Sequence, residues 1–178
     1  MSSRFGFQPR YFLAWLLWFE VARAVFVVYQ WDKASALPAA TLLGTFGYGL
    51  WLDASAAAYC CVLPFTGFVV SALAGERFSL GRLVAGYTAV VGLVLALLLA
   101  LDLGLYRAWG FRLDGTLLQY LSTPREMAAS AGSAPRAGLL LALAGLLLAG
   151  GGLYGGLTRR LPALPAGFGR AGGGLARH

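Results

Sequence analysis

Two stretches of this chain, Leu83 to Leu101 and Ala137 to Thr158, run for 19 and 22 residues without a charge. A helix rises about 1.5 Å per residue and the hydrocarbon core of a bilayer is about 30 Å thick, so each stretch is as long as a membrane crossing. Backbone N–H and C=O groups find no water in lipid, and a run of this kind satisfies them internally by forming a helix. Of the 178 residues 59% are hydrophobic and 12% charged, against about 25% charged in soluble domains, which excludes a water-soluble core. The expected class is all-α: a polytopic membrane helical bundle of about four transmembrane helices, with a shallow or re-entrant helix and a surface helix besides.

Two further crossings are expected upstream. The first, about 11–31, is flanked by Arg4 and Arg10, with Trp15, Trp18, Tyr29 and Trp31 as interface anchors. No small-residue cleavage site follows the basic MSSRFGFQPR, so this segment reads as a retained anchor. The stretch Ala34 to Gly75 carries one charge, Asp53, and Trp51 to Ala56 lacks the Gly, Pro or Asn of a reversal. It therefore reads as a span over 54–74 preceded by an outer-side arm over 36–52. Spans over 83–104 and 137–157 follow, separated by an outer-side cap, 105–136. In the cap, Thr123 followed by Pro124 signals the start of a surface helix. The multi-pass domain thus covers 1–158, and 159–178 is a basic Gly/Pro-rich tail expected to be flexible.

Basic residues outnumber acidic ones 14 to 7, but they lie scattered at the ends of apolar runs. A nucleic-acid binder would gather them on one face, so no nucleic-acid partner is expected. Four spans with both termini cytoplasmic place eight basic residues inside (Arg4, Arg10, Arg77, Arg82, Arg159, Arg160, Arg170, Arg177) and five outside, as the positive-inside rule favours.

Charges inside the apolar runs are the candidate site residues. Glu20 and Arg23 share a helix face at i, i+3 and can pair, which lowers the cost of an arginine in the membrane. Asp53 can pair with Arg23 across helices or cap the helix at Ser55. Catalytic and metal-binding signatures are absent: the one histidine, His178, ends the tail, Cys60 and Cys61 are adjacent in an apolar run, and the seven acids form no ligand cluster. No cofactor is expected in this chain.

The most specific chemistry lies from Asp102 onward, DLGLYRAWGFRLDGTLLQYLSTPREM. Arg112 and Asp114, two apart near the membrane surface, suit either a contact to a lipid phosphate or a salt bridge that fixes the segment. Tyr106, Trp109 to Asp114, Thr116, Tyr120-Leu121 and Thr123-Pro124, with Ala22-Arg23, Tyr48 to Leu50, Leu52-Asp53 and Leu63 to Phe65 upstream, resemble the N-terminal membrane domain of the lipoteichoic acid synthase-like sulfatase and phosphoglycerol transferase family, within the alkaline phosphatase superfamily. The likeness covers roughly residues 10 to 160, departing at Trp51, where the pattern has a basic residue, and at Gly104, often acidic there. Such proteins continue through one more span into a metal-dependent catalytic domain. The resemblance implies a truncated, non-catalytic anchoring domain of the bacterial inner membrane that assists in presenting lipid substrates, with no active site of its own. A different class is a small independent adaptor or partner subunit. Expected partners are membrane lipids, anionic phospholipid headgroups among them, and a separate catalytic domain or a second copy. The residues singled out as lipid-headgroup or structural polar sites are Arg23, Glu20, Asp53, Asp102, Tyr106, Arg112 and Asp114.

Overall fold

A computed structural model describes residues 2–74, 80–110, 112 and 136–159. Its helices are α1 (Ser2–Tyr29), the short α2 (Trp31–Ala34), α3 (Ala39–Ala74), α4 (Leu80–Trp109) and α5 (Arg136–Arg159), and no strand occurs among the described residues. Four of them are long and apolar enough to cross a membrane, over Gly6–Tyr29, Ala39–Ser71, Leu80–Arg107 and Arg136–Leu157. This is the architecture of a multi-pass membrane protein, an all-α bundle.

Two boundaries differ from expectation. The arm over 36–52 and the span over 54–74 form one helix of 36 residues, with no break at Asp53. At about 1.5 Å per residue it is some 54 Å long, far more than the hydrocarbon thickness, so one of its ends projects beyond the bilayer as a continuation of the span rather than lying on its surface. The missing turn residues already argued against a reversal at Asp53. Pro38 starts the helix, its carbonyl accepting from the N–H groups of Thr41 and Leu42 at 2.9 and 3.2 Å, and Pro64 is carried inside. The other difference is at α4, which runs on past 104 into the expected cap and ends at Gly110. There φ is +78°, and the glycine N–H donates to the Tyr106 carbonyl at 3.0 Å, a left-handed helix terminus that a residue without Cβ adopts readily. The expected helix after Thr123 falls outside the described residues.

α1 is the central helix. Its residues Phe7, Tyr11, Trp15, Trp18 and Ala22 recur every three or four positions and are all buried, a single stripe packed between neighbouring helices. Phe7 meets Phe68 of α3 with ring centroids 5.4 Å apart. Tyr11 shares a 2.8 Å hydrogen bond with the Thr88 hydroxyl of α4, and the Trp18 indole N–H donates to the Leu146 carbonyl of α5 at 3.0 Å. Trp15 and Trp18, expected as interface anchors, are therefore core residues at 5% and 3% exposure, while Trp31 at 56% keeps the interfacial character. On α5 the glycines that receive neighbours are Gly138, beneath Tyr29, and Gly150, beneath Trp18. Gly151, Gly152, Gly155 and Gly156, which have helix-contact spacing in the sequence, face open space.

Leu43, Tyr48, Trp51, Leu52 and Tyr59 of α3 and Leu140, Leu141 and Leu148 of α5 are exposed. In water these faces would be an extensive apolar patch, and in a bilayer lipid covers them. The hydroxyls of Ser55 and Thr66 donate to the carbonyls of Trp51 and Val62 four residues back, so they too are satisfied without water. Replacing Tyr11 by Phe removes one such interhelical bond. Interhelical hydrogen bonds in membranes average about 0.6 kcal/mol, and the expected loss is of that order, read as a small downward shift in a detergent unfolding midpoint.

Candidate functional site

The polar residues gather at the end of the bundle where α1 finishes, α3 begins and α4 finishes. Arg23 lies six residues before the end of α1, about 9 Å inside it. Its Nη2 donates to Asp53 Oδ2 of α3 at 2.5 Å, while Nε stands 3.9 Å from Glu20 Oε2 on its own helix. Of the two arrangements open to Asp53, pairing with Arg23 across helices is the one present. Gly49 makes this possible, since a Cβ there would overlap the Arg23 guanidinium. The expected Glu20–Arg23 pair is thereby the looser of the two contacts. Glu20 Oε1 and Arg23 Nε are buried without a hydrogen-bond partner among the described residues.

Above this pair lies a second group. Arg112 reaches back from beyond α4 and places Nε and Nη2 at 3.2 and 2.9 Å from a single oxygen, Oδ2, of Asp102. Asp102 is buried, held among α4 and its neighbours, and the guanidinium that serves it is mostly exposed. The same guanidinium sits 4.7 Å from the Phe26 ring centroid of α1, and Phe26 meets Tyr106 edge-on at 5.1 Å. Lys33, the third residue of α2, places Nζ 4.4 Å from the Tyr106 ring centroid. The Gln30 amide donates to the Leu103 carbonyl at 3.1 Å and ties the end of α1 to α4. Alongside, Arg107 donates to the Tyr29 carbonyl at 3.3 Å and pairs with Asp32 at 3.4 Å.

Both groups border one cavity of about 480 Å³ between α1, α3 and α4. Arg23, Lys33, Arg112, Asp53, Gln30 and Tyr106 give it a polar lining, and Phe19, Phe26, Leu42, Leu52 and Leu99 supply apolar walls. A second cavity of about 270 Å³ lies between α1, α4 and α5, lined by Trp15, Trp18, Gly92, Leu146 and Tyr154, and no charged side chain borders it.

Of the seven residues singled out in the sequence, Arg23, Asp53, Tyr106 and Arg112 border the first cavity, and Glu20 and Asp102 join them as ion-pair partners of Arg23 and Arg112. Asp114, the partner expected for Arg112, lies outside the described residues, and the ion pair present for Arg112 is with Asp102. Lys33, Gln30 and Phe26 were not legible as site residues. A lysine just after an apolar run reads as a boundary marker, and only the return of α4 beside α1 brings Tyr106 beneath it.

No protein-family model matches this sequence, and no curated protein or solved structure matches it. The site therefore speaks through its own chemistry. Among the described residues no group of three or more His, Cys, Asp or Glu is placed to hold a metal ion. Of the three cations at this partly apolar hollow, Arg23 and Arg112 are paired with carboxylates, and Lys33 rests on the Tyr106 ring.

Proposed function

We propose that this chain holds a membrane lipid by its headgroup. On this reading it is a non-catalytic membrane-anchoring domain, like the sulfatase-family domain its sequence resembles, which helps present lipid substrates to a separate catalytic domain. It resides in the bacterial inner membrane with both termini cytoplasmic, so that the cavity opens toward the outer leaflet. The observation that carries the reading is the cavity at the end of the bundle, walled by Phe19, Leu52 and Leu99 and bordered by Arg23 and Arg112, each paired with a carboxylate, and by Lys33, which has no carboxylate partner among the described residues.

The test is retention. Protein extracted in mild detergent from a reconstituted bilayer of mixed phosphatidylglycerol and phosphatidylcholine carries phosphatidylglycerol in excess of its share when analysed by native mass spectrometry. Retention in the proportion of the bilayer would overturn the reading. A reporter fused after His178 and active only in the cytoplasm reports the orientation, and a silent fusion would put the cavity on the wrong side for an outer-leaflet substrate.

The adaptor reading starts from a second observation, which fits it and lipid alike. Leu140, Leu141 and Leu148 leave α5 with an apolar face turned away from the other helices, which a span of a partner subunit or a second copy could cover as readily as lipid.

A further inference from the structure

We propose that a phosphate-bearing lipid enters the cavity sideways, between α3 and α4, and that Lys33 is the cation that takes its phosphate. This rests on the reading of the chain as a lipid-holding domain and names the residue and the route that the reading leaves open.

The choice among the cations follows from their partners. Arg23 faces two carboxylates, Asp53 at 2.5 Å and Glu20 at 3.9 Å, so an arriving phosphate meets more negative than positive charge there. Arg112 is committed to Asp102, holding its Oδ2 with two N–H groups, and turning toward a ligand would break that charge-assisted pair. Lys33 has no carboxylate partner among the described residues; its ammonium rests over the Tyr106 ring and is exposed at the cavity edge. A cation on an aromatic face keeps its N–H donors free, and an ammonium binds phosphate as a point charge without demanding a fixed angle.

The route follows from the two helices that flank the cavity. α3 and α4 meet at their joined ends, where Leu80 packs against Gly67. Further along α3, Thr45 and Leu52 line the cavity and are also exposed, so it opens through the side of the bundle. Those two residues are seven apart and share a helix face, as do Leu99 and Tyr106 across the gap. Each pair spans about 10 Å along its helix, with the apolar Leu52 and Leu99 deeper and Thr45 and Tyr106 nearer the bundle end. That is the polarity gradient of a phospholipid, with chains below and phosphate above.

The experiment uses the whole chain in nanodiscs of phosphatidylglycerol and phosphatidylcholine, with retained lipids counted by native mass spectrometry. Lys33→Gln is expected to cut the preference for phosphatidylglycerol about tenfold, the equivalent of one charge-assisted contact. Arg107→Gln, a basic residue of the same end that does not border the cavity, keeps the preference. Thr45→Trp, which narrows the side opening, lowers retention of both lipids. Circular dichroism on each variant verifies that the helices remain. A Lys33→Gln protein with the preference of the parent overturns the assignment of Lys33 while the lipid-holding reading stands. Equal losses in Lys33→Gln and Arg107→Gln mean general charge attraction and overturn it too. Unchanged retention in Thr45→Trp overturns the sideways route, as does displacement of the lipid by soluble glycerol phosphate, which would make a water-borne phosphate the ligand. A parent protein with no preference overturns the reading and the assignment together.

Discussion

Asp53→Ala is expected to be the most destabilising single substitution at the polar end of the bundle. Its carboxylate accepts from Arg23 Nη2 at 2.5 Å, with side-chain exposures of 21% for the arginine and 14% for the aspartate. Deleting one member of a buried ion pair leaves the other charge desolvated, and such losses run to about 3–5 kcal/mol. Glu20 cannot take over from its place, since its nearest carboxylate oxygen stands 3.9 Å from Arg23 Nε. Glu20→Gln should therefore cost much less than Asp53→Ala. Replacing both members, Arg23→Leu with Asp53→Leu, should recover most of the loss, because two apolar residues in an apolar setting leave no orphaned charge. Reversible unfolding in mixed micelles, followed by circular dichroism, measures all three. Equal losses for Glu20→Gln and Asp53→Ala would show the arginine shared evenly between the two acids, against the geometry.

The second large effect belongs to Trp18. It is 3% exposed, its ring meets those of Trp15 and Phe19 at 5.8 and 5.3 Å, and its N–H donates to the Leu146 carbonyl of α5. Trp18→Ala deletes an indole from the place where α1 and α5 are joined and enlarges the cavity that Trp18 already borders. Truncations of this kind cost about 3–5 kcal/mol, and an acyl chain able to slip into the void draws the figure toward the lower end. Trp18→Phe separates the terms. It keeps most of the ring, loses the hydrogen bond, and should cost about 1 kcal/mol beyond the small change in volume. Gly150→Ala approaches the same contact from the other side, since a Cβ there would stand 3.1 Å from Trp18 Nε1 and push the helices apart. The same unfolding assay ranks the three, with Trp18→Ala lowest in stability; a loss below about 1 kcal/mol for it would mean that the α1–α5 seam is held elsewhere.

Charge-free length was enough to read the third and fourth spanning helices in the sequence, and apolar length broken by few charges the first two, because the bilayer allows few alternatives to a helix. Glu20, Arg23 and Asp53 were legible as a polar set for the same reason, each being a charge where charges are costly. Which acid holds the arginine was not legible, since it depends on the register of α1 against α3 and on the absent side chain at Gly49. Trp15 and Trp18 show the opposite failure. Position near an apolar run suggested interface anchors, but the three- and four-residue spacing with Phe7 and Tyr11 is the stronger signal, and it places them in the core. Lys33 needed the fold itself, for its meaning comes from Tyr106, 73 positions later in the chain.

The Arg23–Asp53 pair joins residues 30 apart in sequence, and that separation has a consequence for how the protein is made. Synthesis proceeds from the N-terminus, so α1 reaches the membrane before the segment that carries Asp53 does. During that interval the arginine carries an insertion cost of about 2.5–3.5 kcal/mol with one carboxylate on its own helix to offset it. That carboxylate is Glu20, one turn away on the same face. The looser contact of the finished bundle is thus the first one the nascent chain can form, and Glu20 escorts Arg23 through insertion until α3 arrives and Asp53 takes the charge over.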